Sequence, residues 1–256
     1  MPITFAHPAI VLPLLKKRYK LFSATGLVIG SIIPDFESFI RFNEHKHYSH
    51  TWLGMFWFDL PLAVIVAFIF HNVVRDPLIS NLPPFLENKC RQFMGFRWNA
   101  YFRQHFVKII ISMLIGIALH LVWDAFTHLN LAYPDAEDST ILIGPFRLFK
   151  VLQNCDSILG MIIMAVYIFI LPGEEAKALE PAAKMMFRID VVPVKYSKLK
   201  YWSIFGAAAI TTVVIATGII MRNINFVLFI DICIAGILLG FVMAGLLTRA
   251  ARDHNL

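Results

Sequence analysis

The chain has 256 residues, of which 58% are hydrophobic, 14% aromatic and only 16% charged, and its mean hydropathy is +0.68. A soluble domain of this length has no use for so much apolar surface, so the composition excludes an ordinary water-soluble enzyme and points to an integral membrane protein. The net charge of +6, from 23 Lys and Arg against 17 Asp and Glu, then reads as the basic excess of cytoplasmic loops, with no nucleic-acid partner.

Two short apolar pieces, residues 3–15 and 21–33, flank the basic run Lys16-Lys17-Arg18-Tyr19-Lys20. They predict a helical hairpin with arms about 20 Å long. No basic flank precedes the first piece and no small-residue cleavage site follows it, which argues against a removed signal peptide. Five later stretches, 51–74, 107–127, 157–172, 201–221 and 226–248, approach the roughly 20 apolar residues that a spanning helix needs. The expected fold is therefore all-α, a polytopic transmembrane helical bundle of about five full spans plus the N-terminal hairpin. It forms one membrane domain over 1–256, with a metal-site half at 1–130 and supporting helices at 131–256.

Between these segments, the 75–108 connection interleaves Arg91, Arg97 and Arg103 with Phe93, Phe96, Trp98, Tyr101, Phe102 and Phe106. That pattern suits a helix lying among lipid headgroups, and suits a basic solvated loop almost equally. The 128–156 connection, with Asp135, Glu137 and Asp138 ahead of an apolar piece at 141–152, has the make-up of a lid. Cys90, Cys155 and Cys233 are odd in number and far apart, so neither a disulfide framework nor a thiolate metal site is indicated.

If the loops alternate sides in the simplest way, 18 Lys and Arg fall on one side and 5 on the other. The first side holds the 16–20 tip, the 75–108 and 177–200 connections and the C-terminal tail. The positive-inside rule makes it cytoplasmic and predicts a multi-pass protein of the cell inner (plasma) membrane, with its C-terminus inside. This topology also gathers the ionisable residues. His7 begins the first hairpin arm and Asp35 ends the second, so both reach the outer side. His50, Asp59, His120, Asp124 and His128 fall in the outer halves of their segments or just beyond, and Asp231 lies about a turn and a half inside the last segment.

The series His120, Asp124, His128 closes a run that is otherwise almost wholly apolar, and ionisable groups there are costly enough to mark a functional site. Residues four apart drift only about 40° round a helix while rising about 6 Å, so His120 and Asp124 can hold one ion together. His120 and His128 lie about 12 Å apart on a regular helix, too far to share an ion, although a two-metal site bridged by Asp124 uses all three. Imidazole and carboxylate donors suit zinc, with manganese or iron as alternatives, in one or two ions. The remaining carboxylates, Asp59 and Glu37, are candidates for taking a proton from a metal-activated water. Other residues have plainer readings. His71, His105 and His254 are expected to be hydrogen-bonded or in the tail, His45 and His47 to be loop residues, and Asp59 also suits a cap at a helix break before Pro61.

The opening Met-Pro-Ile-Thr-Phe-Ala-His7-Pro, the turn Ile-Pro34-Asp35-Phe-Glu37, Ser49-His50-Thr51 with Phe58-Asp59-Leu60-Pro61 after it, and His120 to Thr127 together resemble an uncharacterised family of bacterial integral membrane proteins. More distantly they resemble the inner-membrane metal-dependent hydrolases, a group similar in turn to zinc-dependent phospholipases C. The resemblance covers residues 1–130 and implies metal binding by His7, Asp35, His50, His120 and Asp124. Glu37 stands where the hydrolase turn has a second Asp, and Ser49-His50-Thr51 reverses that group's Thr-His-Ser element.

The function expected is a membrane-embedded, metal-dependent hydrolase of a phosphoester, in a lipid or lipid-linked substrate drawn from the membrane. A divalent-metal transporter is the alternative from another class, favoured by ligands at mid-membrane and broken helices. A scaffold stapled by a structural metal is the third.

Overall fold

The computed structural model describes residues 4–15, 21–43, 47–127, 142–143, 146–171, 198–220 and 224–253. Prolines shape its first arm. Pro8 opens the short helix α1 (Pro8–Val11), and Pro13 holds the continuation to a 3-10 turn, Leu12–Leu15, because an interior proline removes an N–H and crowds the preceding turn. The second arm is the longer α2 (Ala24–Ile32), capped by the Ser23 hydroxyl, which accepts from the Gly26 N–H at 3.3 Å. It tightens into a 3-10 turn, Ile33–Asp35, and continues as α3 (Phe36–Arg41). α1 packs on α2 as the hairpin reading requires, but the first arm is broken rather than one regular helix.

A continuous 27-residue span follows, Met55–Asn81. It consists of a wide π turn (Met55–Asp59), α4 (Leu60–Ile69), a second π turn (Phe70–Val74) and α5 (Arg75–Asn81). The helix does not break at Pro61, which corrects the capping role considered for Asp59. The widened turn, closed by the Leu60 N–H on the Met55 carbonyl, leaves the proline ring room in the turn before it.

After α6 (Pro84–Cys90) comes α7 (Trp98–Thr127), kinked only at His105, where φ is −128° and ψ is 25°. Of the aromatic segment read as a headgroup helix, Arg91 and Phe93 lie in a 3-10 turn after α6, whereas Trp98 to Phe106 are the opening of α7. Its Trp98 and Phe102 rings lock edge-on against Phe68, with centroids 6.0 and 5.0 Å away.

The remaining described elements are a two-residue antiparallel ladder, β1 (Leu142–Ile143) with β2 (Phe146–Arg147), and the helices α8 (Leu148–Ile170), α9 (Lys198–Ile220) and α10 (Phe226–Asp253). Among the described residues, five helices are long and apolar enough to cross a membrane, namely Met55–Asn81, Trp98–Ala125, Val151–Ile170, Lys198–Ile220 and Phe226–Thr248. The chain is thus an all-α polytopic bundle. The basic hairpin tip, residues 128–141 of the 128–156 connection read as a lid, and the 172–197 connection lie outside the described residues; the described remainder of 128–156 is the β1–β2 ladder and the opening of α8.

Two compact units are interleaved along the sequence. One comprises Met1–Glu37, Lys46–Val64 and Val107–Ile170, and the other Ser38–His45, Ile65–Phe106 and Leu171–Leu256, so the sequence halves divided at residue 130 do not coincide with them. In the first unit, α2 and α7 meet backbone to backbone. A side chain at Gly26 would come 2.8 Å from the Ile109 carbonyl, one at Gly30 would overlap the Met113 carbonyl, and one at Gly116 would come 2.9 Å from the Ser31 N–H. Such close approach at small residues four apart is how helices associate where lipid removes the hydrophobic drive. Leu27, Ile33, Ile109, Met113 and Ile117 fill the buried interior of this unit. In the second unit, Gly236 and Gly240 of α10 do the same against the Ala209 and Phe205 carbonyls of α9, each 2.9 Å from where a Cβ would stand.

Candidate metal centre

All the groups that build the centre lie in the first unit. α7 carries His120 and Asp124 on one face, a turn apart and close to its end. Asp35 closes the 3-10 turn after α2, fully buried, and the glycine-mediated approach of α2 to α7 brings the two helix ends side by side. His50 arrives on the loop before the first span. Its backbone is left-handed, with φ at 53°, a conformation that costs a β-carbon-bearing residue about 1–2 kcal/mol.

Glu37 shapes that loop. Its buried carboxylate accepts hydrogen bonds from the backbone N–H groups of His47 (2.9 Å), Tyr48 (3.0 Å) and Ser49 (2.8 Å). Three successive N–H donors converging on one carboxylate form a strong, charge-assisted anchor. The Ser49 hydroxyl then lies 3.1 Å from Nδ1 of His50 and orients the ring.

The rings are aimed by backbone carbonyls. His120 Nδ1 donates to the Ser31 carbonyl at 2.8 Å. A carbonyl only accepts, so Nδ1 carries a proton and the ring turns Nε2 to the centre. There Nε2 meets Asp124 Oδ2 at 3.6 Å, Asp35 Oδ1 at 3.8 Å and His50 Nε2 at 3.3 Å. His50 Nε2 is itself 3.0 Å from Asp124 Oδ2 and 3.9 Å from Asp35 Oδ1.

One donor atom from each of Asp35, His50, His120 and Asp124 lies within 4.8 Å of all the others. Five of the six separations run from 3.0 to 3.9 Å. A tetrahedron of ligands at about 2.0–2.1 Å from one ion has edges of about 3.3 Å, so the four donors have the size of a metal shell. Two carboxylates and two imidazoles in a buried pocket match a divalent cation in charge as well as in geometry.

His7 stands just beside this shell. Its ring stacks on His120 with centroids 4.0 Å apart and planes at 20°. Nδ1 lies 3.2 Å from the Thr4 carbonyl and Nε2 lies 3.1 Å from Asp124 Oδ1. Burial works against a charge on this imidazole. The hydrogen bond to Asp124 and the fields of Asp35 and Asp124 outweigh it, so its pKa lies above the ordinary histidine value. His7, expected among the ligands, is thus not one of the four clustered donors but bonds to Asp124, the kind of partner that orients a ligating carboxylate. Gly160 of α8 makes room for the neighbouring Ala6, since a Cβ there would come 2.7 Å from the Ala6 side chain.

The other predicted residues fall as follows. Asp59 is fully buried on the π turn, which packs against Ile33–Asp35. His128 lies outside the described residues. Asp231 is buried on α10 in the second unit and is not one of the four clustered donors. His71 accepts from Arg75 Nη1 at 2.9 Å and stacks on Trp98 at 4.4 Å, the hydrogen-bonded role expected of it.

Sequence reasoning missed Gly26, Gly30 and Gly116, although a glycine pair four apart in an apolar segment is a readable helix-packing signal. It also missed the Thr4 and Ser31 carbonyls, which have no side-chain signature. No curated protein and no solved structure matches the chain. The family described as Domain of unknown function (DUF4184) matches residues 1–247, and the chain belongs to that family.

Proposed function

We propose that the protein is a membrane-embedded, metal-dependent hydrolase of a phosphoester in a lipid or lipid-linked substrate. The observation that carries this reading is the buried four-donor shell of Asp35, His50, His120 and Asp124, built at the ends of spanning segments. Asp124 is one residue from the end of the span Trp98–Ala125, and His50 lies five residues ahead of the span Met55–Asn81. A site at span ends meets headgroups, whereas a transporter site belongs near the midplane. The resemblance to inner-membrane metal-dependent hydrolases and zinc-dependent phospholipases C supports the same chemistry.

When bound there, a zinc ion, or manganese or iron on the same donors, supplies Lewis acidity and an acidified water. The chain does the rest. Asp35 and Asp124 neutralise the charge, His50 and His120 present nitrogens fixed by Ser49 and Ser31, and His7 holds Asp124 in place. Asp59 is the proton acceptor in this proposal. Glu37, the other carboxylate considered for that task, is occupied by three N–H groups and serves the His50 loop instead. The 18-to-5 split of Lys and Arg supports an inner-membrane topology with the site toward the outer face and the C-terminus in the cytoplasm.

Elemental analysis of protein purified without chelator tests the centre: about one ion per chain is expected in the wild type and a clear deficit in His120→Ala and Asp124→Ala. Wild-type protein in liposomes should cleave a phospholipid headgroup ester or a generic phosphodiester, and chelator should abolish this. Asp59→Asn should keep its metal and lose turnover. Metal-loaded protein that is inert on a broad phosphoester panel yet accumulates zinc or manganese in sealed vesicles would be a transporter, and the hydrolase reading would be abandoned.

A further inference from the structure

The shell is closed on most sides and open on one. The side chains of Asp35, His120 and His7 have no exposure and Asp124 has 7%, whereas His50 has 17%. Immediately after His50 the chain turns its apolar side chains outward. Trp52 is 66% exposed, Leu53 74%, Phe56 54% and Trp57 53%, with Tyr48 at 43% just before.

This segment is rigid for a surface turn. Thr51 Oγ donates to the Tyr48 carbonyl at 3.0 Å and accepts from the Gly54 N–H at 2.9 Å. No residue with a side chain fits at position 54, where a Cβ would overlap the Tyr48 carbonyl. The Tyr48 ring meets Trp57 edge-on at 5.3 Å, and Glu37 pins the base. A turn so constrained does not collapse to hide its aromatics from water. It sits at the beginning of the span Met55–Asn81, the level at which Trp and Tyr favour the membrane interface.

We propose that residues 48–57 form a lip that lies in the lipid interface beside the metal centre, so that a bilayer phospholipid delivers its headgroup phosphoester past His50 while its acyl chains rest on Trp52, Leu53 and Phe56. The substrate class is then a membrane phospholipid, and a water-soluble phosphoester lacks the anchoring half of the site. The catalytic half of this statement rests on the hydrolase reading; the position of the lip does not.

Two measurements separate them. In protein lacking its native cysteines, an environment-sensitive fluorophore on Leu53→Cys in phosphatidylglycerol–phosphatidylethanolamine vesicles should emit as in an apolar medium and be quenched by brominated acyl chains. Emission as in water overturns the lip whatever the activity. The double variant Trp52→Ser, Leu53→Ser should keep wild-type metal content and its rate on bis(p-nitrophenyl) phosphate while losing about ten-fold or more on vesicle phospholipid. Equal loss on both substrates, or loss on neither, overturns the lip and leaves the hydrolase intact. Wild-type protein inactive on both substrates overturns the hydrolase reading, and the fluorophore still decides the position of the lip.

Discussion

His120 carries two assignments on one ring: Nδ1 is spent on the Ser31 carbonyl and Nε2 is turned to the shell. Loss of such orienting partners lowers metal affinity by about 10–100-fold in metal sites generally. Glu37 does the same for His50 at one remove. Glu37→Gln should therefore weaken metal binding by about ten-fold or more and shift the visible spectrum of the cobalt-substituted protein toward that of His50→Ala. Full metal affinity with lost turnover would instead restore Glu37 as a proton acceptor. Among single residues, His120 and Asp124 were legible because ionisable groups stand out in an apolar run, and Asp35 and His50 because simple topology brings them to one end. The division of labour was not. Which histidine binds and which supports depends on where the Thr4 and Ser31 carbonyls and the Glu37 anchor fall, and those positions are set by the folded backbone.

At the scale of elements, the crossing of α2 and α7 controls the centre, because it sets Ser31 and Asp35 against His120. Gly30→Leu and Gly116→Leu should lower thermal stability in detergent, overpacking costing about 1–3 kcal/mol or more, and should reduce bound metal with it. Gly206→Leu on α9, where a Cβ would meet no neighbouring atom within 4 Å, should change neither. A smaller effect belongs to α6. Arg91 Nη2 donates to Glu87 at 2.8 Å; this bond, opposed by partial burial and aided by Lys198, holds the Glu87 pKa below the ordinary value. The stabilisation is present above the unfolded carboxyl value of about 4.3 and disappears as pH falls through the lowered folded value. Glu87→Gln should thus cost no more than about 1 kcal/mol in neutral thermal melts and nothing in strongly acidic ones. The spans themselves were legible from apolar run length. The π turns at Met55–Asp59 and Phe70–Val74 were not, since a change from i→i−4 to i→i−5 pairing answers to packing rather than to local propensity.

For the whole molecule, the sidedness of the centre is the quantity that would fix the substrate pool of the proposed hydrolase. With an impermeant maleimide on cells making cysteine-free protein, His47→Cys should react from outside and Arg97→Cys only after permeabilisation. The opposite pattern would turn the centre to the cytoplasm and replace an outer-leaflet lipid with an inner-leaflet one. The four donors also come from three separated stretches of chain, near residues 35, 50 and 120–124. During synthesis, a nascent chain that ends before α7 holds Asp35 and His50 but neither His120 nor Asp124, half a shell with too few donors to retain an ion. On the proposed metal-dependent reading, uptake is then a late event of biogenesis that follows insertion of α7, and ribosome-stalled chains ending near residue 110 should carry no metal while chains ending beyond residue 170 carry it.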